Sequence, residues 1–154
     1  MVFPTTRRRR KKSFRSTEPM FCLDTNIIIF ALNRRRPNLS LRLVKELAAR
    51  TRLIVPAAAM FELEYGIAKS DRGERGRAPL DALLANGFEF AAFDADDARE
   101  AGAVRSHLEA LGEPIGAYDI LIAAQARRRG ATLVTNNIRE FARVPGLRLD
   151  DWST

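Results

Sequence analysis

The chain has 154 residues, 46% of them apolar and 29% charged, which is the length and composition of one globular domain with a sizeable core. A single cysteine, Cys22, rules out an intramolecular disulfide and makes a cysteine zinc site implausible, a single histidine, His107, argues against histidine-rich metal centres, and no apolar stretch approaches the ~20 residues of a membrane span. The net charge of +7 belongs mostly to one end: residues 1–19 hold seven basic side chains against Glu18, and the rest of the chain is close to neutral.

Residues 1–19 contain the cationic run Arg7 to Lys12 and no apolar periodicity, so they are expected to form a basic, disordered extension. The charges are followed by Ser13 and a polar stretch to Pro19, which argues against a secretory signal. The extension reads either as sequence lying upstream of the fold or as a tail that adds affinity for RNA. The folded domain is placed at 20–154.

From Met20 the pattern alternates between strand and helix. An apolar strand at 20–23 ends at Asp24, and Asp24 or Thr25 can cap a helix over 27–32. A helix at 39–49 shows Leu39, Leu43, Val44 and Leu47 at helical spacing. A strand at 53–55 is closed by Pro56. A helix at 57–70 places Met60, Phe61, Leu63 and Ile67 on its apolar side, and another covers 80–86. A third strand spans 88–93, and a long helix runs over 94–111 to Gly112. The helix at 117–129 stops at Gly130, with Arg127, Arg128 and Arg129 in its last turn, where cations favour the helix dipole. A fourth strand at 132–135 and a short edge strand at 147–149 complete the pattern. Strands separated by helices predict an α/β fold: a mostly parallel sheet of four or five strands with helices on both faces. Sites in such folds lie outside the carboxyl ends of the strands.

That rule directs attention to Asp24, which a simple helix cap would also explain. Glu62 shares a helix stripe with the small residues Ala58 and Gly66, where a carboxylate must be paired, protonated or metal-bound. Glu64 competes with it, and spacing alone does not choose between them. Asp119 lies in the first turn of an apolar helix, where the dipole alone favours an acid. Asn136 and Asn137 follow the fourth strand, with Glu140 one turn later. Three or four carboxylates can thus converge on one sheet edge. Their mutual repulsion is relieved by a hard divalent cation, and oxygen-only ligands select Mg²⁺ or Mn²⁺. Such a site suits phosphodiester hydrolysis by a metal-activated water.

Four segments carry a family resemblance: Leu23-Asp24-Thr25-Asn26-Ile27, Phe61-Glu62-Leu63-Glu64-Tyr65-Gly66, the run from Ile115 to Ala123 around Tyr118-Asp119, and the run from Leu133 to Phe141 around Thr135-Asn136-Asn137 and Glu140. From about Met20 to Trp152 the chain resembles the PIN-domain ribonucleases, specifically VapC-like toxins of bacterial toxin–antitoxin pairs, with all four segments in family order. The resemblance favours Glu62 over Glu64 and implies that Asp24, Glu62 and Asp119 are metal-binding acids. Many PIN domains have an aspartate where this chain has Asn136. Glu140 is therefore named as the fourth acid and Asn136 as a polar member of the site.

The resemblance further implies a Mg²⁺-dependent endoribonuclease acting on structured RNA such as tRNA, with Mn²⁺ as a substitute. It implies a homodimer, a small VapB-like antitoxin that covers the site, and a heterotetramer or larger complex of the two. The implied location is the cytoplasm, which also suits Cys22 as a buried reduced thiol. His107 is expected to be a partly exposed helix residue, and Trp152 to pack the C-terminus onto the domain. Arg34-Arg35-Arg36 is a solvated turn or a phosphate contact. A PIN-fold nuclease of RNA processing without an antitoxin, and a non-catalytic RNA-binding module, are the alternatives.

Overall fold

The structure, a computed structural model, describes residues 18–71 and 74–154. The expected disordered extension therefore lies outside the described residues except for Glu18 and Pro19. The elements in chain order are β1 (Met20–Leu23), α1 (Thr25–Asn33), α2 (Pro37–Ala48), β2 (Arg52–Pro56), α3 (Ala57–Lys69), α4 (Glu74–Leu84), β3 (Phe88–Ala91), α5 (Ala95–Ala110), α6 (Ala117–Arg129), β4 (Thr132–Val134), α7 (Ile138–Phe141) and β5 (Arg148–Asp150).

The five strands form one sheet in the order β3-β2-β1-β4-β5, and every pair is parallel. The chain leaves β1 through β2 to β3, then returns past β1 to β4 and β5. Right-handed connections running in both directions from β1 put helices on both faces. The reversal lies between β1 and β4, where the crevice outside the carboxyl ends opens. Asp24 follows β1 and Thr135 follows β4, so both stand at that crevice.

The central strands are apolar because both faces are covered: Cys22, Leu23, Leu53, Val55, Leu133 and Val134 are at most 1% exposed. Ile27, Leu39, Leu108 and Ile122 bury against them from the helices. Cys22 is fully buried, and burial pushes its thiol up to about 12, so it is an inert core side chain. Trp152 meets Phe21 edge-on at 5.0 Å and donates its indole N–H to Asp150 Oδ2 at 3.0 Å, which packs the C-terminus onto β1.

Asp97 and Gln125 tie the layers together. Asp94 and Asp97 form a reciprocal capping box at the start of α5. Asp97 is fully buried and also receives Arg128 Nε and Arg129 Nη1, both at 2.8 Å. Arg127 pairs with Glu100. The three arginines therefore clamp α6 to α5, a stronger role than the dipole interaction expected of them. Gln125 Nε2 donates to Ala91 O at 2.9 Å and Ala92 O at 3.3 Å, while its Oε1 accepts the Ala58 N–H at 3.3 Å. This side chain takes carbonyls that a longer strand would use, so β3 ends at Ala91 and not at residue 93.

Two further expectations change. The helix expected over 80–86 begins earlier, at Glu74, ends at Leu84 and carries Pro79 in its interior. Burial of Leu80 and Leu84 offsets the missing backbone hydrogen bond. Phe61 and Val44 do not lie on the buried faces of their helices, being 52% and 64% exposed. The stripe that α3 buries is Ala58, Ala59 and Leu63, and Phe61 falls on the other side of that helix.

Candidate active site

Asp24 is built into the end of the sheet. Its N–H donates to Val134 O at 3.0 Å, which extends the β1–β4 ladder by one step. The side chain is only 5% exposed. Oδ1 accepts the Thr25 N–H at 2.8 Å and caps α1, and Oδ2 accepts the Thr135 hydroxyl at 2.8 Å. Thr25 in turn donates its hydroxyl to Glu62 Oε1 at 2.9 Å. Thr135 Oγ1 accepts the Asn137 N–H at 2.9 Å, and Asn137 Nδ2 donates to Glu140 Oε2 at 3.1 Å. One hydrogen-bonded line therefore runs from Glu62 on α3 through Asp24 to Glu140 on α7.

Asp119 approaches from the first turn of α6. A Cβ on Gly116 would stand 3.1 Å from Asp119 Oδ2, so the missing side chain at Gly116 leaves room for that carboxylate. Burial, then the charges of Asp24, Glu62 and Glu140, push the Asp119 carboxyl up to about 6. Asp24 is also raised, by burial first and by the Glu62 charge, against the hydrogen bonds from Thr135 and Thr25 that lower it. The charges of Asp24, Glu62 and Glu140 thus oppose the ionisation of Asp119, and that of Glu62 opposes the ionisation of Asp24.

Their donor chemistry fits a hard divalent cation: all oxygen, with neither imidazole nor thiolate in the line. Their spacing is looser than a closed ligand cage. Among the described residues, no three Asp, Glu, His or Cys side chains are grouped so as to hold a metal ion.

Glu64, the competitor of Glu62, pairs with Arg77, whose hydrogen bond holds the Glu64 carboxyl below its usual range. The structure places Asn136 outside the hydrogen-bonded line: it is exposed, and the neighbouring Asn137 makes the contacts. Sequence reasoning missed Thr25, Thr135 and Asn137 as site members. The available signal was a threonine within two residues of each of the two strand ends that flank the reversal, Thr25 after Asp24 and Thr135 directly after β4. His107 is exposed near the end of α5. In the turn after α1, Arg34 has a left-handed φ of 51°, and Arg36 lies over the Phe30 ring at 4.5 Å.

Comparison with known proteins agrees with this architecture. The model of the PIN domain family matches residues 21–147. The chain is 37% identical to the tRNA(fMet)-specific endonuclease VapC of Shigella flexneri and 38% identical to ribonuclease VapC2 of Rickettsia felis. Each alignment covers 86% of this chain and 98% of the relative. Among solved structures, VapBC2 from Rickettsia felis, crystallised with a DNA fragment from their promoter, is similar at a TM-score of 0.80 and 36% identity. That match covers 86% of this chain and 98% of the other. The chain therefore belongs to the PIN domain family and, within it, to the VapC ribonucleases. Among the described residues, no helix is long and apolar enough to cross a membrane.

Proposed function

We propose that the protein is an endoribonuclease that hydrolyses phosphodiester bonds in RNA and acts as the toxin of a toxin–antitoxin pair. The observation that carries this reading is the hydrogen-bonded line that joins Glu62, Asp24 and Glu140 at the sheet reversal, with Asp119 near enough for its carboxyl to be raised by their charges. Asp24, Glu62 and Asp119 would hold Mg²⁺, or Mn²⁺ in its place, with Glu140 as the fourth acid. When bound, such a cation supplies an acidified water and offsets charge on the phosphate. The chain's own contribution is placement. Thr135 and the Thr25 amide fix the Asp24 carboxylate, the Thr25 hydroxyl fixes Glu62, and Asn137 fixes Glu140. The acids are thereby oriented before substrate arrives. Asn136, being exposed, would act at the rim of the site.

Structured RNA such as tRNA is the proposed substrate class, in keeping with the tRNA(fMet)-specific endonuclease among the relatives. The proposed partner is a small VapB-like antitoxin, in keeping with the VapBC complexes among similar structures. A homodimer, a heterotetramer or larger assembly with antitoxin, and action in the cytoplasm complete the reading. The test is incubation of the full-length protein with total tRNA across a Mg²⁺ titration, followed by sequencing of the new RNA ends. Discrete, Mg²⁺-dependent ends that disappear in Asp24→Asn are expected. A folded wild-type protein that produces none under any Mg²⁺ concentration would contradict the proposal.

A further inference from the structure

Two aromatic side chains, each next to one of the acids in sequence, fill no part of the core. Phe61 on α3 directly precedes Glu62, and Tyr118 on α6 directly precedes Asp119. Their ring centroids are 5.2 Å apart with planes inclined at 43°, and the residues are 52% and 48% exposed. The buried residues of α6 begin at Ile120, as those of α3 exclude Phe61. From Tyr118 a groove of about 320 Å³ continues between α5 and α6, past Phe93, Ala101 and Leu121.

We propose that Phe61 and Tyr118 form a stacking platform for one unpaired base of the RNA, which positions the adjoining phosphodiester at the acids. This inference rests on the nuclease reading. Stacking suits the site because the acids repel phosphate, so affinity has to come from contacts that do not depend on their charge. An aromatic face meets any base, but only one released from its own helix. The platform therefore selects loops and other single-stranded stretches of a structured RNA. Arg143 offers a cation near the start of α6. Its Nη1 donates to Pro114 O at 3.0 Å, on the segment that leads into α6, so a carbonyl holds the guanidinium and its charge stays available to a phosphate. A second copy of the chain would fit less well: an apolar protein face over the rings would further desolvate Glu62 and Asp119.

The test uses full-length protein carrying Asp24→Asn, to suppress cleavage, and a hairpin RNA with 2-aminopurine at successive loop positions. A fully paired duplex of the same stem is the control. Binding is expected to quench 2-aminopurine at one loop position. Phe61→Ala and Tyr118→Ala should each weaken hairpin binding roughly 5- to 150-fold, leave duplex binding unchanged, and abolish the quenching. Tyr118→Phe should keep both signals. Phe61→Leu and Tyr118→Leu preserve apolar bulk and should still lose the quenching, which covers the case in which an alanine variant fails to fold. Wild-type-like hairpin binding by folded leucine variants would overturn the proposal, as would equal losses for hairpin and duplex. Loss of self-association without loss of hairpin binding would reassign the rings to contact between copies. Cleavage by the protein with Asp24 intact is measured separately: if it persists while the platform effect is absent, this inference alone fails.

Discussion

Thr135 donates its hydroxyl to Asp24 Oδ2 at 2.8 Å across 111 residues of sequence, joining the carboxyl ends of β1 and β4 at the sheet reversal. Its oxygen also accepts the Asn137 N–H, so one buried hydroxyl holds both the first acid and the loop that carries Glu140.

Thr135→Val keeps the shape and removes both hydrogen bonds. A buried carboxylate oxygen and a backbone N–H then lose their partners, which is expected to cost about 1–3 kcal/mol. Thermal melting measures that loss. The same variant should also cleave RNA more slowly, because Asp24 loses one of its two fixed contacts. Unchanged melting and unchanged cleavage together would remove Thr135 from the site.

Asp119 gives a pH prediction of defined sign. Its carboxyl sits at about 6 in the fold, above the roughly 3.9 of an unfolded aspartate. As pH rises between these values, the unfolded chain releases its proton first, so the fold loses stability, and the full cost is present above about pH 6. In metal-free protein, Asp119→Asn should therefore be more stable than wild type at pH 8. The gain is about 1 kcal/mol after allowance for partial solvent exposure, and it should vanish below pH 4. Chemical denaturation at the two pH values checks this, and the same substitution should abolish cleavage.

Asp97 has the opposite sign. Burial would raise its carboxyl, but hydrogen bonds from Arg129, Arg128 and the Asp94 N–H override that and hold it well below the usual range. Its stabilisation is present above the unfolded value of roughly 3.9 and is lost as pH falls below it. Asp97→Ala removes the buried acceptor and the capping box, while Arg128 keeps Asp94 and Arg129 keeps the Gln125 and Ala92 carbonyls, and it should cost about 1–3 kcal/mol at pH 7. The deficit should shrink in acid. A variant that melts like wild type would show that α5 and α6 do not depend on this clamp.

Much of this was readable in the residues, and the failures have physical causes. Alternating apolar runs and helical spacings located the five strands and six of the seven described helices, because both depend on burial that repeats along the chain; the four-residue α7 is too short to show a period, and only the second half of α4 was placed. The sheet order followed less directly: the return from β3 to β4 depends on long-range pairing that no local pattern encodes. Asp24 was visible as an acid at a strand end. Its partners Thr25 and Thr135 were not, because a hydroxyl's role depends on what lies across the sheet. Asn136 and Asn137 are adjacent and chemically identical, and only the path of the loop after β4 turns Asn137 toward Glu140. Phe61 was placed on the buried side of α3 because it is apolar, and its exposure is what suggests a second role.

Deletion of residues 1–19 removes most of the net charge and none of the elements described here. The shortened protein should melt as the full chain does. If the tail contacts phosphates, its RNA binding should depend less steeply on salt. Equal salt slopes would assign the tail no role in RNA binding.

We propose that the acids at the sheet reversal hold a divalent cation. The most direct test is Mn²⁺ binding followed by electron paramagnetic resonance on full-length wild type, Asp24→Asn and Asp119→Asn, each verified as folded. Wild type should bind Mn²⁺ and release it to Mg²⁺, and each variant should lose at least about tenfold in affinity, the equivalent of a single ligand worth ~1.4 kcal/mol. Undiminished Mn²⁺ affinity in both folded variants would contradict the proposal.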